Sequence, residues 1–89
     1  MASKAYEDGL AQRKAVLGED YVNRALANAD DFTRPLQEWV TEHCWGTVWT
    51  RPGLPLKTRS LINIGMLAAL NRSHELAIHV QGALNNGCT

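Results

Sequence analysis

The chain has 89 residues, and its nine Lys and Arg are balanced by nine Asp and Glu. This length predicts a single domain over residues 1–89, too small to bury a large core alone, so association with further copies is expected. A net charge of zero argues against nucleic-acid binding, because neutralising phosphates requires a surplus of Lys and Arg. Without a signal peptide or a membrane-spanning apolar run, we expect a cytoplasmic protein that contacts no membrane and keeps Cys44 and Cys88 reduced.

Frequent alanine and leucine, with no period-two alternation, predict an all-α fold. Apolar spacing predicts a helix over residues 4–17 and a second that begins at residue 19 and ends between residues 28 and 30. A third helix, capped by Asp31 or Thr33, is expected to end near Gly46. Its inward stripe is predicted at Phe32, Leu36, Trp39, Val40 and His43.

Residues 56–70 are predicted to form the central helix, because they are apolar on nearly every side apart from Ser60 and Asn63. We expect this helix to be buried among other helices. A last helix, with Ser73 as its N-cap, is predicted to end at the Asn-Asn-Gly turn of residues 85–87. Its core-facing stripe is predicted at Leu76, His79, Val80, Ala83 and Leu84.

Glu75 and His79 are four residues apart on this last helix, so their side chains share one face. The carboxylate is expected to hold the imidazole in one tautomer and to raise its pKa, making His79 a proton donor near neutral pH. The alternative is a core histidine bonded to a backbone carbonyl, and spacing alone leaves both interpretations open.

A metal site is not predicted. His74 and His79 lie about 140° apart around a helix, so they cannot share a metal from one face. A thiol redox site is not predicted either, because the chain has no Cys-x-x-Cys pair. By contrast, four basic residues and no carboxylate lie between His43 and His74. This block favours a small anionic ligand, or else forms a solvated rim.

Four stretches of the sequence resemble the carboxymuconolactone decarboxylase family. They are Ala27-Asn-Ala-Asp-Asp-Phe-Thr-Arg-Pro35, Thr41-Glu-His-Cys-Trp-Gly-Thr-Val-Trp-Thr-Arg-Pro-Gly-Leu54, Thr58-Arg-Ser-Leu-Ile62 and His74-Glu-Leu-Ala-Ile-His-Val-Gln-Gly-Ala-Leu-Asn-Asn-Gly87. The resemblance implies an all-α subunit of a trimeric or hexameric homo-oligomer. It also implies cofactor-free decarboxylation of the carboxylated lactone γ-carboxymuconolactone to β-ketoadipate enol-lactone in protocatechuate catabolism.

Such a reaction requires cations for a dicarboxylate, a donor for the lactone carbonyl and an acid for the carbon. On this resemblance we assign His79 as proton donor and Glu75 as its orienting partner. Either Arg51 or Arg59 is expected to bind carboxylate, since Arg suits bidentate recognition. The pocket lining is assigned to His43, Glu42 and Trp45.

Two departures from the family pattern bear on this assignment. Gln81 stands where a basic residue is expected, which predicts a weaker anion site or another substrate. The chain also stops at Thr89, where relatives continue with further helices, so an exposed apolar face on the central helix is expected.

Two alternatives are a non-catalytic oligomeric binding paralogue and an alkylhydroperoxidase-like peroxidase. The peroxidase is less favoured, because its two cysteine positions fall on Arg72 and Glu75.

Overall fold

Residues 3–89, which this computed structural model describes, contain five α-helices, one π-helix and no strand. The all-α class is therefore confirmed. The helices, in chain order, are α1 (Lys4–Leu17), α2 (Glu19–Ala27), α3 (Arg34–Trp39), the π-helix (Val40–Val48), α4 (Leu56–Ala69) and α5 (Ser73–Asn85). None of the helices within residues 3–89 is long and apolar enough to cross a bilayer.

The helix ends follow local chemistry. The Ser3 hydroxyl accepts a 3.1 Å hydrogen bond from the backbone N–H of Tyr6 and so caps α1. Left-handed φ angles of 58° at Asn71 and 95° at Gly87 follow α4 and α5, as the turn residues predict. Ser73 begins α5, but its side chain makes no capping hydrogen bond, so that predicted cap is wrong.

The turn before α3 is organised by Asp30. Its carboxylate accepts hydrogen bonds from the N–H groups of Phe32, at 3.0 Å, and Thr33, at 2.8 Å. Thr33 is the N-cap residue of α3, one of the two predicted positions, but its side chain makes no capping hydrogen bond to the helix, and Asp31 is not the cap.

The π-helix crosses α1 at two glycines. A Cβ at Gly9 would overlap the carbonyl oxygen of Thr41, and one at Gly46 would overlap that of Ala5. The two backbones therefore touch, and this helix pair is the most extensive in the fold. The helix was predicted to end near Gly46, but the π-helix continues past this glycine to Val48.

The buried apolar core consists of Val16, Leu17, Val22, Trp45 and Trp49, with Ala83 of α5 also buried. The predicted inward stripe of the third helix is confirmed only at Val40, which is partly buried against the core. Phe32 is 90% exposed, and Leu36 and Trp39 are more than half exposed. The physical reason is that, among the described residues, α3 packs mainly against the π-helix that continues it, so no other helix covers these side chains. The buried side chains of this region are Thr41, Trp45 and Trp49.

The prediction that α4 is buried on nearly every side is also wrong. Only Arg59 and Ser60 of this helix are buried, and Leu61, Ile62 and Met66 are about half exposed. The physical reason is that, among the described residues, α4 packs mainly against α5. Its exposed apolar surface, which continues at Leu70 just after the helix, agrees with the exposed face that we expected. The α5 stripe is only partly confirmed, because Val80 and Leu84 are exposed.

Candidate functional site

His79 lies beside two buried tryptophans. The imidazole is 6.3 Å from the Trp45 ring, with 2° between their planes, and 6.1 Å from the Trp49 ring. The two indoles stack on each other at 4.6 Å. These centroid separations are those of offset aromatic pairs. The π-helix and α5 thus hold His79 in a fixed aromatic setting.

The environment of His79 is apolar. Its Nδ1 is buried and has no hydrogen-bond partner among the described residues. Burial lowers the pKa of His79, which favours the neutral imidazole. The predicted rise of this pKa through Glu75 is therefore wrong, because desolvation is the dominant effect.

Glu75 faces the start of α5. Its Oε1 accepts a 2.7 Å hydrogen bond from the Arg72 guanidinium, which lowers the pKa of this carboxyl. The hydrogen bond to Arg72 takes the place of the predicted contact with His79. Both partners of the ion pair are substantially exposed, so the pair contributes little to stability.

Arg59 is buried and uses its guanidinium within the fold. Nε donates to the carbonyl oxygen of Leu54 at 3.0 Å and one terminal nitrogen to that of Val48 at 2.6 Å. The other terminal nitrogen donates to the carbonyl oxygen of Arg51. Arg59 therefore ties the loop of residues 49–55 to the π-helix and is not a free carboxylate clamp. The side chain of Arg51, on that same loop, is exposed.

A small, mostly apolar cavity of about 190 Å³ lies next to this loop. It is lined by Val48, Trp49, Leu54, Arg59, Ile62, Asn63 and Met66. Trp49 contacts both this cavity and His79, so a molecule in the cavity would lie one indole ring away from the imidazole.

The remaining predicted pocket residues lie apart from this cluster or at its edge. The His43 and Trp39 rings lie 5.1 Å apart, tilted by 39°, and both side chains are exposed. Glu42 is half-buried on the π-helix. Of these residues, only Trp45 is stacked against His79.

Sequence reasoning missed the role of Trp49 and the buried pair Arg13 and Thr41. Trp49 belongs to the buried core and stacks on His79. The signal that predicts its position is the four-residue spacing of Thr41, Trp45 and Trp49 on one buried face. Arg13 gives no such signal, because an arginine on a surface-type helix looks solvated.

The described part of the chain contains no cluster of metal-ligating side chains. Within residues 3–89, no group of three or more His, Cys, Asp or Glu side chains could hold a metal ion. Cys44 and Cys88 are both free thiols and are partly buried.

Comparison with known proteins shows similarity of the chain to decarboxylases. The model of the carboxymuconolactone decarboxylase family matches residues 34–89. Nitrosuccinic acid decarboxylase of Metarhizium robertsii is 50% identical over 86 residues, which cover 97% of this chain and 60% of that protein. The 4-carboxymuconolactone decarboxylase of Acinetobacter baylyi is 49% identical over 84 residues, covering 94% of this chain and 63% of that protein.

The 4-carboxymuconolactone decarboxylase of Pseudomonas putida is 42% identical over 41 residues, which cover 46% of this chain and 85% of that sequence. No solved structure matches the chain. The chain thus spans less than two thirds of the length of the first two relatives.

Proposed function

Since the chain belongs to the carboxymuconolactone decarboxylase family, we propose that it is a cofactor-free decarboxylase acting on γ-carboxymuconolactone in cytoplasmic protocatechuate catabolism. The observation that carries the proposal is the position of His79 on α5, where its imidazole stacks against two tryptophans that also stack on each other. The half-identical decarboxylases support the reaction class.

The proposed reaction begins with loss of the ring carboxylate as CO₂. The electron pair of the broken C–C bond moves through the ring double bond into the lactone carbonyl, giving a furan-type oxyanion. Return of these electrons, with addition of one proton to carbon, gives the enol-lactone. The protein must therefore bind anionic oxygens and deliver one proton.

His79 is the proposed proton donor. Burial favours its neutral form in the free protein, whereas an adjacent anionic substrate favours the protonated form. Substrate binding therefore charges the imidazole at the moment when the acid is required. Glu75 is proposed to orient His79 in that complex, because the two are one helical turn apart and the exposed Arg72 pair is weak.

Arg51 is the proposed carboxylate clamp, since its exposed guanidinium is carried by the loop that Arg59 holds in place. Trp45, which is stacked against His79, is proposed to contact the lactone ring beside the imidazole. We propose that His43 and Glu42, on the π-helix, contact the substrate at the outer edge of the pocket.

A second candidate substrate is a nitro-substituted dicarboxylic acid, favoured by the 50% identity to nitrosuccinic acid decarboxylase. Loss of a carboxylate next to a nitro group leaves the electron pair on the nitro oxygens, as a nitronate. The chemical demand is the same: stabilise an oxyanion, then protonate carbon.

The test is CO₂ release by the purified chain from γ-carboxymuconolactone and from nitrosuccinic acid, in parallel. We expect release from at least one, with a loss of at least about 100-fold in His79→Ala, the scale of general acid catalysis. Arg51→Ala should raise KM, whereas Lys57→Ala, which also removes one exposed charge, serves as its control. A folded chain that binds either substrate without turnover would instead be a non-catalytic paralogue.

We also propose that the chain forms a homo-oligomer, a trimer or hexamer as the resemblance implies. The support is the apolar face of α4, where Ile62 and Met66, one helical turn apart, are about half exposed. Soluble monomers seldom expose contiguous apolar patches of this kind unless they are contact surfaces.

A further inference from the structure

A second, polar cavity lies away from His79, between α2, α3 and the start of α5. Its volume is about 370 Å³. Its polar lining consists of Tyr21, Arg24, Asn28, Thr33, Gln37 and His74. None of these lining residues carries a carboxylate, whereas Arg24 supplies a positive charge and His74 can acquire one.

Behind this lining lies a buried cation. Arg13 is only 5% exposed, and its guanidinium donates to the hydroxyl of Thr41 at 3.1 Å. That hydroxyl in turn donates to the backbone carbonyl of Gln37 at 2.8 Å. Burial lowers the pKa of Arg13, and the Tyr21 and Tyr6 phenols are the groups that partly offset this. No salt bridge joins Arg13 to a carboxylate within residues 3–89. The desolvation of this buried charge is therefore not offset by an ion pair.

Two polar atoms in this region are unsatisfied. Arg13 Nε and Gln37 Oε1 are both buried and have no hydrogen-bond partner among the described residues. Gln37 lines the cavity, and Thr41 links it to Arg13. Buried polar groups are normally hydrogen-bonded, so the unsatisfied amide oxygen of Gln37, a lining residue of the cavity, indicates a ligand that supplies a donor there.

We infer that this cavity binds a small hydroxylated carboxylate, at a site separate from the decarboxylase site. Its carboxylate lies between Arg24 and His74, with the positive charge of Arg13 behind it, and its hydroxyl donates to Gln37 Oε1. Inorganic phosphate also suits guanidinium groups and, as its monohydrogen anion, carries one O–H donor, so it is the competing ligand that the experiment distinguishes.

The experiment is an NMR titration of the full chain with malate, and separately with inorganic phosphate. We expect saturable malate binding that shifts the backbone signals of Ala25, Ala29 and Gln37, which line or flank the cavity. Arg24→Ala and His74→Ala, both changes at exposed side chains, should each weaken malate at least about fivefold. Arg13→Gln should weaken it as well if that variant folds.

Arg51→Ala and His79→Ala serve as controls, because they alter the other site and should leave malate binding unchanged. Failure of decarboxylation therefore does not affect this result. The inference is overturned if malate does not saturate, if phosphate binds more tightly than malate, or if the controls, rather than the Arg24 and His74 variants, abolish binding.

Discussion

The imidazole of His79 lies parallel to the indole of Trp45, with 2° between the planes and 6.3 Å between the ring centres. The two rings come from α5 and the π-helix, which are separate along the chain, so their alignment is a product of helix packing. The same packing removes the imidazole from solvent and lowers its pKa. The packing of the helices and the protonation of the His79 imidazole are therefore linked.

His79 should make stability depend on pH. Its pKa in the folded chain is lowered from the unfolded value of about 6.5, so below neutral pH the unfolded chain binds more protons. Stability is expected to fall as pH drops through about 6.5 toward the lower folded pKa. Urea unfolding at several pH values should show this slope in the natural chain and a shallower slope in His79→Gln. Identical slopes would contradict the prediction.

Arg59→Lys should loosen the loop of residues 49–55. A single ammonium cannot reproduce three directed hydrogen bonds to carbonyls, and we expect a loss of about 2–4 kcal/mol in unfolding free energy. Hydrogen exchange of the loop amides should quicken in the same variant. Lys57→Ala removes an exposed charge nearby and should change neither quantity by much, so equal effects in both variants would argue against a specific role.

Gly9→Ala should destabilise the crossing of α1 and the π-helix. The added methyl would overlap the carbonyl oxygen of Thr41, and such overpacking costs about 1–3 kcal/mol or more. Gly65→Ala is the matched control. Nothing lies within 4 Å of the Cβ position at Gly65, and alanine favours a helix by about 0.5–1 kcal/mol. Thermal unfolding should therefore move in opposite directions in the two variants.

Charges on the apolar face of α4 should disrupt self-association. The double variant Ile62→Lys with Met66→Lys places two like charges, one helical turn apart, where we expect a contact between copies, so a smaller species should form. Sedimentation velocity measures the change. Leu36→Lys, at a similarly exposed leucine on α3, should leave the mass unchanged. An unaltered oligomer in the α4 variant would place the interface elsewhere.

Glu75→Gln tests the proposed orienting role. If Glu75 orients His79 only in the substrate complex, kcat should fall by about tenfold and its dependence on pH should shift. The unfolding free energy should change by no more than about 0.5 kcal/mol, because the Arg72 pair is exposed. A rate unchanged at every pH would remove Glu75 from the mechanism.

Local features of the fold could be read from the sequence. Helix positions follow from apolar spacing, and the left-handed turn at Gly87 follows from its lack of a Cβ. The family could be identified from the motifs around His43 and His79, which carry the resemblance. Each of these features depends on residues close together in the chain.

The tertiary structure alone decided which groups meet. In it, Arg59 donates hydrogen bonds to three backbone carbonyls, and Glu75 accepts one from Arg72. Trp45 and Trp49 stack against His79. Sequence spacing cannot predict this, because burial, desolvation and competition for hydrogen-bond donors depend on which helices pack together. The π-helix that begins at Val40, which apolar spacing does not signal, places Thr41 and Trp45 in the core.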